Sequence, residues 1–219
     1  MGGYKMEQGK FIVLDGIDGS GTSTHSALLV KYLFEKDKKN VVLLTREPTK
    51  LSPYGLELRR RLTGNLLPEE TVINDADYWA NLFINDRQWH INKVVMPSLQ
   101  LGLQVVSDRY DLSTIAYQSA QGRDMDELIR KHEGLQVPDL TILLDIPVET
   151  TIQRITKDAQ RTQEYFDDCA FQQKVRLNYL AAVQKLSNTR NIAVIDSSHP
   201  IDQVAKEIQQ EVNKLYGYR

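Results

Sequence analysis

Phe11-Ile12-Val13-Leu14-Asp15-Gly16-Ile17-Asp18-Gly19-Ser20-Gly21-Thr22-Ser23-Thr24 is the stretch that decides the fold. Four apolar residues in a row read as a short buried parallel strand. Three glycines in six residues follow. Ala27, Leu28, Val30, Leu33 and Phe34 then lay an apolar stripe along a helix. Strand, glycine-rich turn and helix, in that order, make a phosphate-binding loop of the pattern G-x-x-x-x-G-K-[ST]. Gly16, Gly21 and Ser23 fit the pattern, but Thr22 stands where the lysine belongs.

The loop can hold phosphate without its lysine. Glycines let successive backbone N–H groups turn inward around phosphate oxygens. The helix N-terminus adds its own positive end. Residues Gly16, Ile17, Asp18, Gly19, Ser20, Gly21, Thr22, Ser23 and Thr24 are therefore the candidate ATP-binding loop, with the Ser23 hydroxyl where Mg²⁺ is normally held. The lysine normally offsets charge on the β- and γ-phosphates. Losing one preorganised donor of that kind costs roughly 3–4 kcal/mol at a transition state. An active enzyme built on this loop needs a cation from elsewhere.

Composition narrows the class. The chain of 219 residues suits one α/β domain, 1–219, with a mobile insert. A net charge of −2 gives no electrostatic case for a nucleic-acid partner. The single Cys169 rules out an intramolecular disulfide and fits a reducing compartment. No apolar run approaches the roughly 20 residues of a membrane span, and the N-terminus has no signal-peptide stretch. The expectation is a cytoplasmic protein with no membrane partner.

Further strand-like runs fall at 41–44, 104–107, 140–144 and 192–195. Helical patterns lie near 54–63, 76–101, 111–120, 124–133, 147–158, 168–187 and 200–215. This alternation predicts a doubly wound, five-stranded parallel sheet of the P-loop type, flanked by helices. Ligands bind such sheets beyond the carboxyl ends of the strands. Every strand here runs into polar residues: Asp15; Arg46 and Glu47; Asp108 and Arg109; Asp145; Asp196 and Ser197.

Arg46, in Arg46-Glu47-Pro48, is a cation suited to a phosphate. Asp108 and Asp145 are rival strand-end carboxylates for a water-mediated Mg²⁺ contact. Phe83, Arg87 and His90 share one helix face, although core packing is the commoner fate of such a phenylalanine and such a histidine. Gln118 can both donate and accept toward a base edge. Segment 154–168 is rich in charge and reads as a lid. Its Arg154, Lys157 and Arg161 are the candidates to replace the missing lysine.

Taken together, these segments resemble the thymidylate kinase family across nearly the whole chain. The resemblance rests on the strand and loop from Phe11 through Gly21, Thr45-Arg46-Glu47-Pro48, Leu82 through Arg87, Ser107 through Gln118, Pro138-Asp139-Leu140, Leu143-Leu144-Asp145 and Val194 through Ser197. It implies transfer of the ATP γ-phosphate to thymidine monophosphate. In that reading Asp18 contacts the acceptor sugar, and Arg46, Arg87 and Arg109 surround its phosphate. Phe83 stacks on thymine, with Ser113, Tyr117 and Gln118 lining the pocket. Asp108 is favoured over Asp145 for the metal, Asp196 and Ser197 lie near adenine, and the protein is a homodimer. Gly19 and the basic 154–161 segment place the chain with members whose extra cations sit in the lid.

Two departures stand out: Thr22 itself, and Thr49-Lys50-Leu51 where the family has Gly-Gly-Thr. Two other readings stay open, namely a P-loop kinase for another small acceptor, and a nucleotide-binding protein without catalysis. Unpaired acceptor arginines argue against a bare nucleoside; intact Ser23, Asp108 and Arg109 argue against decay.

Overall fold

The computed structural model describes residues 8–67, 69–71, 73, 75–155 and 168–218. Five strands form one all-parallel sheet: β1 (Phe11–Gly16), β2 (Val42–Arg46), β3 (Gln104–Asp108), β4 (Leu140–Asp145) and β5 (Ile192–Asp196). Their order across the sheet is β2-β3-β1-β4-β5. The glycine-rich loop therefore leaves the central strand. The register aligns Leu14 with Asp108, Asp108 with Arg46, and Asp145 with Asp196. The polar strand ends thus gather along one edge.

Alternation along β1 explains the two covered faces. Ile12 and Leu14 pack with Leu29 and Leu33 of α1 (Thr22–Lys36) and with Val204, Ile208 and Val212 of α9 (Ile201–Tyr216). Phe11 and Val13 point the other way, against Ile91, Val95 and Leu99. That second face also carries a larger cluster. It joins α2 (Pro53–Leu62), α3 (Ala76–His90), α5 (Asp111–Ala120), α6 (Met125–Lys131) and α8 (Cys169–Leu186) around Trp79, Ile115, Tyr117 and Tyr179. Helices on both faces of a parallel sheet make the doubly wound arrangement expected from the alternating pattern.

The long helix expected over 76–101 is interrupted. It runs as α3, then a π-helical turn over Ile91–Val95, then α4 (Met96–Gln100). Pro97, which has no N–H to give to the preceding turn, stands just beyond the widened turn. The helix expected over 147–158 is described as α7 (Val148–Ile155). Most of the expected lid, with Lys157 and Arg161, lies outside the described residues, whereas Arg154 lies within them. Among the described residues, no helix is long and apolar enough to cross a membrane.

Candidate active site

The loop closes as its glycines require. Gly21 takes φ 96° and ends the turn into α1 without a side-chain cap. The first amides of α1 are left without intrahelical partners, which is what an anion needs. Gly16 is set by space. A Cβ there would sit 2.7 Å from the Leu144 carbonyl oxygen and 2.5 Å from Ser20 Oγ.

In front of the loop lies a cavity of about 1220 Å³. Five arginines are among its described lining residues: Arg46, Arg59, Arg60, Arg109 and Arg154. Gly19, Thr22, Ser23 and Thr24 line it too, with Ser197 through Ile201 at the far end. Arg154 bridges those two ends. Its Nη2 donates to the Ser197 carbonyl at 2.8 Å and its Nη1 to the Gly19 carbonyl at 3.5 Å. A guanidinium therefore overhangs the loop that lacks its ammonium. Asp196 does not line the cavity; the Ser198 side chain and its amide, the latter at 2.8 Å, hydrogen-bond its carboxylate and hold it below the usual carboxylate range.

A smaller cleft of about 70 Å³ adjoins this cavity, lined by Asp18, Pro48, Leu62, Phe83, Arg109, Ser113, Thr114 and Tyr117. Arg109 donates to Asp18 at 2.5 Å, and the Tyr117 hydroxyl donates to the same carboxylate at 3.1 Å. Arg109 is also the one non-glycine residue at positive φ among the described residues, at 75°. That conformation costs roughly 1–3 kcal/mol and persists only where its surroundings impose it.

Arg87 lies one layer behind this cleft. Its guanidinium is fully buried and donates to Glu47, the Tyr110 carbonyl and Thr114, with His132 Nε2 at 2.7 Å. Arg87 thus lines neither cavity; it braces Thr114, which does. His132 must then keep its proton on Nδ1, facing the Leu128 carbonyl at 2.7 Å. Burial, with Arg87 alongside, pushes its pKa down to about 4. His90, likewise buried, touches Glu47 at 2.9 Å and Thr45 at 2.7 Å and is part of this support. Gln118 is wholly buried, and among the described residues neither polar atom of its amide has a hydrogen-bond partner.

The altered Thr49-Lys50-Leu51 loop has its own anchor. Asp86 of α3 accepts from the Thr49 amide at 2.8 Å, from its hydroxyl at 2.6 Å, and from the Ser52 hydroxyl. Thr49 thereby replaces glycine flexibility with a fixed side-chain contact.

The two strand-end carboxylates separate clearly. Asp145 is held by Arg176 through two contacts of 2.7 and 2.9 Å. Asp108 instead accepts from the Ser23 hydroxyl at 2.5 Å and faces Arg46 at 3.4 Å, and its buried Oδ1 has no hydrogen-bond partner among the described residues. No cluster of three or more metal-ligating side chains occurs among the described residues.

Two residues near Arg109 were given no role by the sequence. Asp15 stands out there only as one of the polar strand ends, and Tyr179 carries no motif at all. Both are fully buried beside the Arg109 side chain. Burial raises the Asp15 pKa to about 7.

A family model described as thymidylate kinase matches residues 14–208. The chain belongs to the thymidylate kinase family. It is 39% identical over 199 residues to a probable thymidylate kinase of Pyrococcus horikoshii, covering 89% of this chain and 92% of that protein. It is 40% identical over 197 residues to a probable thymidylate kinase of Thermococcus onnurineus, covering 87% and 92%. With a thymidylate kinase of Desulfotalea psychrophila the identity is 34% over 207 residues, covering 94% and 96%. The match to the family covers the loop and the lining of both cavities and ends inside α9.

Proposed function

We propose that the protein transfers the γ-phosphoryl group of ATP to thymidine monophosphate, giving the diphosphate. One observation carries this reading. The cavity at the phosphate loop and an aromatic-walled cleft share Asp18, Pro48, Leu62 and Arg109, with Arg109 donating to Asp18 between them, so donor and acceptor can be held on either side of that pair. Phosphoryl transfer asks mainly for positioning and charge neutralisation. Of the five arginines that line the cavity, Arg60 is ion-paired with Glu57 and Glu70, which leaves Arg46, Arg59, Arg109 and Arg154 to supply that charge.

In this reading the amides of Gly19 through Thr24 hold the donor phosphates, and Ser197 borders the adenine, with Asp196 just behind it because it does not line the cavity. Arg46 and Arg109 take the acceptor phosphate, Asp18 its sugar, and Phe83 and Tyr117 enclose the base. Arg87 steadies the cleft wall through Thr114. Arg154 stands in for the loop lysine, spanning the donor from phosphate to base end. Ser23 and Asp108 suit Mg²⁺, which uses one or two protein oxygens plus phosphate oxygens and water; the unpartnered Asp108 Oδ1 fits that role. Bound there, the ion would neutralise charge shared by the β- and γ-phosphates. A single domain, a homodimer and a cytoplasmic setting complete the proposal.

The test is a coupled turnover assay with ATP and Mg²⁺ against thymidine, uridine, cytidine, adenosine and guanosine monophosphates. The highest kcat/KM belongs to thymidine monophosphate. A clear preference for another acceptor sinks the substrate assignment.

A further inference from the structure

Arg109 is held from three sides, and only one of them faces the larger cavity. On that side stands Asp18, at 2.5 Å. Beneath it, Nη1 donates to the Gly16 carbonyl at 2.8 Å and lies 3.2 Å from Ser113 Oγ and 3.4 Å from the Tyr179 hydroxyl. Behind it, the amide of Tyr110, the next residue along the strained turn, donates to Asp15 Oδ2 at 3.1 Å.

One carboxylate joins the second and third sides. Asp15 Oδ1 accepts from the Ser113 hydroxyl and from the Tyr179 hydroxyl, the latter at 3.1 Å. The Tyr179 oxygen also reaches the Gly16 carbonyl at 3.1 Å and Ser113 Oγ at 2.8 Å. Asp15 and Tyr179 are at most 1% exposed, and neither lines either cavity, so neither can touch a substrate.

We propose that Asp15 and Tyr179 are positioning residues that hold the left-handed Arg109 turn and fix its guanidinium on Asp18. Asp15 fixes the backbone after Arg109, while Tyr179 and Ser113 saturate the inner nitrogen. The outer nitrogen is left on Asp18, where acceptor sugar and phosphate meet. Tyr179 comes from α8, the helix that also sends Gln172 Nε2 to Asp18 at 3.3 Å. The acceptor site is thereby tied to an element remote from it in sequence. The inference rests on Arg109 binding the acceptor phosphate.

The experiment is steady-state kinetics on Tyr179→Phe, which removes one oxygen and keeps the packing, and on Asp15→Asn. For Tyr179→Phe the KM for thymidine monophosphate rises about tenfold, as expected for a misplaced charged hydrogen-bonding group. The KM for ATP stays within about twofold, and the melting temperature stays within a few degrees. Asp15→Asn shifts the same constant in the same direction. Combined with Arg109→Lys, Tyr179→Phe adds less than its effect alone, because both act through one group. An unchanged acceptor KM in Tyr179→Phe, equal rises in both KM values, or full additivity with Arg109→Lys overturns the proposal. If Arg109→Lys by itself leaves the acceptor KM unchanged, the failure lies in the functional reading, since Arg109 then does not bind that phosphate.

Discussion

Thr22 is the residue that bears most on the proposed activity. Its hydroxyl can hydrogen-bond, but it carries no charge, and Arg154 is the described guanidinium that spans the loop carbonyl of Gly19 and the Ser197 end of the cavity. Arg154→Ala is therefore expected to lower kcat by about 10²–10³, the size of losing one preorganised transition-state donor. Thr22→Lys in that background should restore part of the loss, because it returns an ammonium to the loop; single-turnover rates of the three variants decide this. The sequence pointed to three lid cations without ranking them, since side-chain reach across a turn leaves no periodic trace. Another residue-scale expectation concerns His132, whose pKa falls from 6.5 to about 4 on folding. Between those values only the unfolded chain binds the proton, so stability falls as pH drops through this window, by up to about 1.4 kcal/mol per pH unit. His132→Gln should flatten that slope in denaturant titrations. The difference between the two proteins isolates this imidazole from other groups titrating there, Asp15 among them. A difference that does not vary with pH would remove the neutral, Arg87-bound imidazole from the account.

At the scale of elements, the strand ends carried most of the legible information. Apolar runs bounded by polar residues located all five strands within a residue or two, because a strand covered on both faces has no room for charge until it emerges. The loop was legible because its glycines answer to geometry: Gly16→Ala would press a Cβ against the Leu144 carbonyl where β1 meets β4. Overpacking of that kind is expected to cost about 1–3 kcal/mol in denaturant unfolding, and the amides of the loop would shift with it. The π-helical turn over Ile91–Val95 was not legible, since one slipped backbone bond leaves the apolar pattern unbroken. Nor was the role of α8. Tyr179 and Gln172 look like ordinary positions on a packed helix, and only the fold brings them to Arg109 and Asp18. Arg87 was placed at the acceptor phosphate by resemblance; its burial against Glu47 and His132 is a tertiary fact that no spacing within α3 reveals.

Across the whole molecule, charge is nearly balanced at −2, yet five arginines converge on one cavity. Net charge alone conceals that concentration. Such a site should bind polyphosphate strongly at low salt and lose affinity as ionic strength rises past the point where the screening length is about 8 Å; isothermal titration of ATP at two salt concentrations checks it. In the proposed reading a loop without its lysine can still serve phosphoryl transfer, because the loop amides, Arg154, Arg46 and Arg109 would each take a share of the charge. The most direct measurement is a single-turnover reaction of the protein with γ-labelled ATP, Mg²⁺ and thymidine monophosphate. Label appearing in thymidine diphosphate, and lost on Arg154→Ala, is the predicted result. ATP that binds measurably but passes no label to thymidine monophosphate would contradict the account.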